Sequence, residues 1–249
     1  MINKNKIGVI IEARTESKRF KNKILKKLYK NLSVLEYLLT KLKTQKIASK
    51  IVVATTKKKS DDIICKICEK QKIKFFRGSE NNLIKRVSDA AKYFDIHHII
   101  QITSDNPFLE LSIVKKLKKI YLSGKYDFVT NSLKRSYPIG SDIRVFSLKK
   151  LIESKDKVSG TKKQHTCHYF VTNLDKIKYY NLVGKNIYYR PNLRLTLDYP
   201  EDLKLYRILF RKLKNKTNLK NVIRLLDKNP SLVRINANKK NPYYYLKLS

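Results

Sequence analysis

A cluster of cations, Arg14, Lys18, Arg19, Lys21 and Lys23, follows directly on an apolar run, with Thr15 and Ser17 among them. Guanidinium forks and ammonium point charges suit phosphate oxygens. Ser17 and backbone N–H groups would add directed hydrogen bonds. The segment also reads as a solvated loop in a lysine-rich chain. Far along the sequence, two carboxylates each close an apolar run: Asp105 after HIIQITS and Asp198 after LRLTL. Two such oxygens on one rim could hold Mg²⁺, with nucleotide phosphates completing its shell. That ion would stabilise charge on a transferring phosphoryl group. Each aspartate has a plainer reading, Asp105 as an Asx turn or cap and Asp198 as support for the helix that Pro200 opens.

These groups meet only if their strands end on one rim. Residues 7–11 are apolar and β-branched, as a buried central strand requires. Further strands are expected at 50–55, 73–76, 98–103 and 126–130. Between them, Ser33 and Glu36 form a capping box ahead of Leu38, Leu39 and Leu42, and helices are expected over 61–71, 83–94 and 111–122. The alternation predicts a three-layer α/β fold with a mostly parallel sheet. Its ligand site would lie beyond the carboxyl ends of the strands.

The pattern changes over 133–184. Short strands at 142–146 and 178–183 flank a segment at 148–155 and another beginning near residue 163. This region is expected to be an inserted substrate-binding or dimerisation element. Strand character returns at 193–197. Pro200 then starts a helix with Glu201 and Asp202 in its first turn, and a last helix covers 219–226. The expected division is a domain at 1–214 that includes the insertion, and a C-terminal helical extension and tail at 215–249. The ending NPYYYLKLS would pack over the core or a neighbouring subunit.

Composition sets limits. Apolar residues make up 42% and charged residues 31% of the 249, which fits a globular protein. No apolar run approaches bilayer length, and no leader pattern follows the basic start, so a cytoplasmic location is expected. Cys65, Cys68 and Cys167 do not suggest a disulfide scaffold. The Cys65–Cys68 spacing reads as the inner face of a helix. The net charge of +37 would normally point to nucleic acid. Here the basic residues are spread along the whole chain, without a nucleic-acid-binding motif, so nucleic acid is not an expected partner. No glycine follows Gly8 in the cationic loop, which excludes a P-loop or dinucleotide fingerprint.

The stretch IIEARTESKRFKNKIL resembles the N-terminal motif of the nucleotide-sugar cytidylyltransferases. It is most like the branch named after spore-coat polysaccharide biosynthesis proteins, and more distantly like the CMP-Kdo and CMP-sialic acid synthetases. The likeness continues through KIVVATT, FFRGSENNLIKR, ITSDNPFLE, YPIGSDIRVF, QHTCHYF and LRLTLDYPEDL. It implies a Rossmann-like sheet, CTP as nucleotide, a sugar or sugar acid as acceptor, pyrophosphate as product and a homodimer. By this resemblance Ala13, Arg14, Ser17, Arg19, Lys23, Thr55 and Asp105 contact the nucleotide, and Arg14, Arg19, Lys23, Asp105 and Asp198 serve catalysis. Asp105 and Asp198 hold Mg²⁺, while Asp142, His165 and His168 face the sugar. Several positions depart from the pattern. Glu12 and Gln164 replace a usual glutamine and glutamate, Glu16 a glycine, Lys21 a proline and Arg144 a glutamate. Glu16 is awkward because a carboxylate in the loop would repel a triphosphate. Two other readings stand beside this one: a nucleotide-sugar-dependent glycosyltransferase on a related fold, and an inactive nucleic-acid-binding or scaffold protein.

Overall fold

The apolar run ahead of the cationic loop becomes the middle of a sheet, because its side chains can be buried on both faces. The computed structural model describes residues 2–45 and 47–241. In chain order its elements are β1 (Ile7–Glu12), β2 (Lys27–Tyr29), β3 (Leu32–Ser33), α1 (Val34–Thr44), β4 (Lys50–Thr56), α2 (Asp62–Gln71), β5 (Lys74–Gly78), α3 (Leu83–Tyr93) and β6 (His98–Thr103). Then come α4 (Leu111–Tyr121), β7 (Phe128–Thr130), β8 (Arg144–Ser147), α5 (Leu148–Lys155), α6 (His168–Thr172), β9 (Tyr179–Asn181), α7 (Pro200–Leu213), α8 (Leu219–Asp227) and α9 (Pro230–Arg234).

The main sheet has the order β5-β4-β1-β6-β8-β7-β9. β1 pairs in parallel with β4 and β6, which sets Glu12 opposite Ala54 on one side and Thr103 on the other. β8 runs antiparallel to both β6 and β7, and β9 is parallel to β7. The sheet is therefore mostly parallel with one reversed strand. Alternate residues of β1 face opposite layers. Ile7, Val9 and Ile11 join a core with α1, α2, α4, α7 and α8, and Ile10 joins a second core with α3, α5 and α6. Gly8 lies where a Cβ would meet Ile96 at 2.5 Å, so the strand is crowded there.

Local signals hold where they are strongest. The Glu36 N–H bonds to Ser33 Oγ, and Ser33 N–H donates to the Glu36 carboxylate, completing the box at α1. Cys65 and Cys68 are buried and free on the inner side of α2, and burial pushes the Cys68 thiol up to about 12. A thiol so far from ionisation is a packing group, not a nucleophile.

The expected strand at 193–197 is a correction. The segment is extended and buried but joins no ladder, and forms one isolated bridge between Ile139 and Arg194. Leu193, Leu195 and Leu197 enter the core, which accounts for their strand-like spacing. The backbone partners are Ile139 on one side and Asp105 at the far end, through Leu197 N–H to Asp105 O at 3.2 Å. Gly140 makes the approach possible. Its φ is +99°, and a Cβ would lie 2.0 Å from Leu195 O. The β2–β3 hairpin and α9 had no sequence expectation. The reading of the aromatic ending falls on residues 242–249, outside the described residues.

Candidate active site

Beyond the carboxyl ends of β1 and β6 lies a cleft of about 450 Å³. The loop after β1 forms one side. Asp61 fixes its shape: Thr15 donates to Asp61 Oδ1 from both its backbone N–H and its hydroxyl, each at 2.7 Å, and Thr56 Oγ1 bonds to Oδ2. Burial opposes ionisation of Asp61, but these hydrogen bonds outweigh it and hold the carboxyl below its usual range. Asn22 closes the loop, with φ 57° and its N–H on Thr15 O at 3.0 Å. Asparagine tolerates this left-handed conformation. The one-turn 3₁₀ segment Lys23–Leu25 follows, anchored by buried Ile24. Ala13, Arg14, Ser17, Arg19 and Lys23 all line the cleft.

The two distant aspartates meet on Lys23. Its ammonium is 2.5 Å from Asp105 Oδ2 and 2.8 Å from Asp198 Oδ1. Arg19 Nη2 adds a contact to Asp198 Oδ1 at 2.7 Å. Burial alone would lower the Lys23 pKa, but the two carboxylates win and raise it. Burial likewise works to raise Asp198, and Lys23 and Arg19 reverse it, holding Asp198 below the usual carboxylate range. Asp202 positions Asp198 from beneath. It takes the Asp198 and Tyr199 N–H groups at 2.8 and 2.9 Å and a two-pronged contact from Arg194 at 2.8 and 2.9 Å.

These residues fit a magnesium ion. Two hard carboxylates face one small volume in a phosphate-binding cleft, a donor set that Mg²⁺ takes together with substrate phosphates. Asp198 Oδ2 is buried with no hydrogen-bond partner among the described residues, although Arg194 stands 3.7 Å away. Among the described residues there is no group of three or more His, Cys, Asp or Glu that could hold a metal by itself.

The opposite wall is polar and comes from several elements. Glu12 ends β1, Gln101 lies on β6, Arg144 on β8 and Arg86 on α3, and Gln164 to His168 lead into α6. Arg86 is buried, with Nη1 on Ser79 O at 2.8 Å and Nε unbonded. His165 and His168 both line the cleft. Burial lowers the His165 pKa, and His168, Arg144 and Arg14 add to the effect.

Two expected contacts lie elsewhere. Thr55 is buried within β4 and Asp142 is buried beside β8, and neither lines the cleft. Both Asp142 oxygens accept from Arg135 at 3.1 Å, and Arg144 stands 3.6 Å away. Asp142 thus touches the wall through Arg144. The awkward Glu16 is paired with Lys58 at 2.8 Å, and Lys58 also holds Glu80 at 2.6 Å. Its charge is met at the mouth of the cleft. Sequence reasoning missed Asp61, Arg86, Gln101 and Thr166. Asp61 was legible only as a helix start, and the other three depend on how β6, α3 and the segment before α6 come together around the cleft.

Residues 8–238 match the cytidylyltransferase family. The chain is 29% identical to a solved cytidylyltransferase from Leptospira borgpetersenii, with a TM-score of 0.87, covering 94% of this chain and 98% of that one. An uncharacterised protein of Methanocaldococcus jannaschii is 34% identical over 241 residues, which is 96% of this chain and 98% of that protein. The spore coat polysaccharide biosynthesis protein SpsF of Bacillus subtilis is 27% identical over 236 residues, covering 91% and 96%.

Proposed function

The chain belongs to the cytidylyltransferase family, and on that premise we propose that it transfers CMP from CTP to a 2-keto sugar acid, releasing pyrophosphate, to activate the sugar for glycan synthesis. CMP transfer, rather than glycosyl transfer from a finished nucleotide sugar, follows from the family. The acceptor is the inferred part. The observation that carries the reading is the convergence of Arg14, Arg19 and Lys23 with Asp105 and Asp198 in the cleft that Arg86 and Arg144 also line.

The chain's own residues divide the work. Arg14 and Arg19 set positive charge along the triphosphate, and Ser17 offers a hydroxyl to it. Lys23 lies between the aspartates and the loop, where it restrains phosphate oxygens as well as the two carboxylates. Asp105 and Asp198 would hold Mg²⁺, which supplies electrostatic stabilisation to the transferring phosphoryl group. Held groups aimed at developing charge are the main source of catalysis in such transfers. The opposite wall supports an acidic acceptor. Asp142 pairs with Arg135 as well as with Arg144, and Arg86 and Arg144 together outweigh the single carboxylate of Glu12, so that side stays cationic. A sugar carboxylate matches this charge, and His165 and His168 are placed to meet its hydroxyls.

The experiment is to incubate the protein with CTP, Mg²⁺ and matched pairs of neutral sugars and 2-keto sugar acids while measuring pyrophosphate. Release that depends on the acid member of each pair is expected. Equal turnover of the neutral partners would overturn the acidic acceptor. No release with any acceptor, together with no CTP binding, would overturn the transfer itself.

A further inference from the structure

Among the described residues five carboxylates line the cleft, and four of them are clamped by ammonium groups. Lys23 holds Asp105 and Asp198, and Lys58 holds Glu16 and Glu80. Glu12 is different. It is held by two neutral donors, Gln101 Nε2 and Thr166 Oγ1, and both bond to the same oxygen, Oε1. Gln101 cannot turn its amide around, because its Oε1 accepts from Cys167 Sγ at 2.9 Å. The Cys167–Gln101–Glu12 chain therefore fixes the carboxylate and leaves Oε2 as the oxygen toward the cleft. Glu12 also ends β1, directly before the loop that receives the triphosphate, and Ser104 N–H bonds to its carbonyl at 3.2 Å. A fixed carboxylate with one open oxygen and, among the described residues, no clamping cation has the form of a general base.

We propose that Glu12, which stands where the related branch usually has glutamine, gives this chain a base of its own that takes the proton from the attacking hydroxyl of the acceptor. As the acceptor oxygen bonds to the α-phosphorus, its proton passes to Glu12 Oε2. The bond from the α-phosphorus to the pyrophosphate oxygen breaks, and its electron pair leaves with pyrophosphate. The charged or titratable groups that act on Glu12 are Arg86 from α3, Arg144 from β8 and Cys167 from the segment before α6, and His165 and Arg14 line the same cleft. Burial raises the Glu12 pKa, and the hydrogen bonds from Thr166 and Gln101 and the charges of Arg86 and Arg144 offset this only in part. A carboxylate moved up in this way is a stronger base near neutral pH. The inference rests on the CMP-transfer reading of the cleft.

The test is Glu12→Gln, which keeps the shape and an accepting oxygen but cannot take a proton, with Glu12→Asp beside it. CTP binding and melting temperature are measured on all three proteins to confirm an intact site. The expected result for Glu12→Gln is a fall in kcat of about 100-fold or more, with KM values for CTP and acceptor little changed. The acidic limb of the wild-type pH profile, where rate falls as pH drops through the base's pKa, should vanish in Glu12→Gln and persist in Glu12→Asp. If CTP binds but no acceptor turns over, the same comparison is made on slow hydrolysis of CTP to CMP and pyrophosphate. Activity of Glu12→Gln within about threefold of wild type with the acidic limb intact overturns the base role and leaves CMP transfer standing. Failure of the wild type to bind CTP overturns both.

Discussion

Replacing Lys23 with methionine keeps most of the aliphatic stem and removes the ammonium that joins Asp105 to Asp198. The side chains are 12%, 19% and 2% exposed respectively, so solvent cannot fully take over. Breaking a buried ion pair from one side costs about 3–5 kcal/mol. Arg19 still contacts Asp198 and Asp105 reaches some water, which puts the loss near the lower end, about 3 kcal/mol. For a chain of this size that is a fall in Tm of about 6–12 °C. The loss has a pH signature. Asp198 is held below its usual value, so its pairing stabilises the fold above the unfolded carboxylate pKa, about 3.9. That contribution disappears as pH falls through the lower folded value. Lys23 is raised, so its contribution is present below the unfolded lysine pKa, about 10.4, and is lost as pH rises through the higher folded value. The Tm gap between wild type and Lys23→Met should be widest from pH 5 to 9 and close at both extremes. Calorimetry across that range is the assay, with MgCl₂ and no nucleotide as a second arm. Magnesium should raise the Tm of the variant more than that of the wild type, because the carboxylates are no longer shared with the ammonium. A Tm change under about 2 °C at pH 7, or a gap independent of pH, would refute the reasoning.

Asp61→Asn keeps the volume but removes the charge that takes both Thr15 donors and Thr56. The expected cost is about 1–3 kcal/mol, with weaker CTP binding by calorimetric titration because the loop is no longer pinned to β4. Since Asp61 is held below its usual range, its contribution is present above about pH 4 and fades as pH drops through the lower folded value. Glu16→Gln removes an exposed carboxylate paired with Lys58. Melting temperature should change little, and CTP should bind a few-fold more tightly at low salt, with the difference shrinking as salt screens it.

The sequence and the structure agree most where a local rule acts alone. The capping box at Ser33, the inward face of α2 and the central burial of β1 need no knowledge of distant residues. The cationic loop was visible for the same reason, because its charges lie close together in the sequence. Asp105 and Asp198 were expected on one rim, but the link that joins them was not legible. Their meeting depends on Lys23 and on the backbone link from Leu197 to Asp105. The segment ahead of Asp198 shows how periodicity misleads. Alternating leucines record which side meets the apolar core, and an extended segment buried on both sides achieves that without entering a ladder. A strand was expected at 142–146, but the reversal of β8 was invisible because Arg144 to Ser147 carry no mark of direction. Its placement beside β6 brings Arg144 and Gln101 into cross-strand register and so builds the wall around Glu12.

The central claim is attack on the α-phosphorus of CTP, and ³¹P NMR of the reaction with CTP, Mg²⁺ and a 2-keto sugar acid reads it directly. Pyrophosphate and a CMP–sugar phosphodiester should grow in equal amounts, and Asp198→Asn should suppress both. Orthophosphate with CDP as the products, or an unchanged CTP spectrum across the whole acceptor panel, would contradict the account.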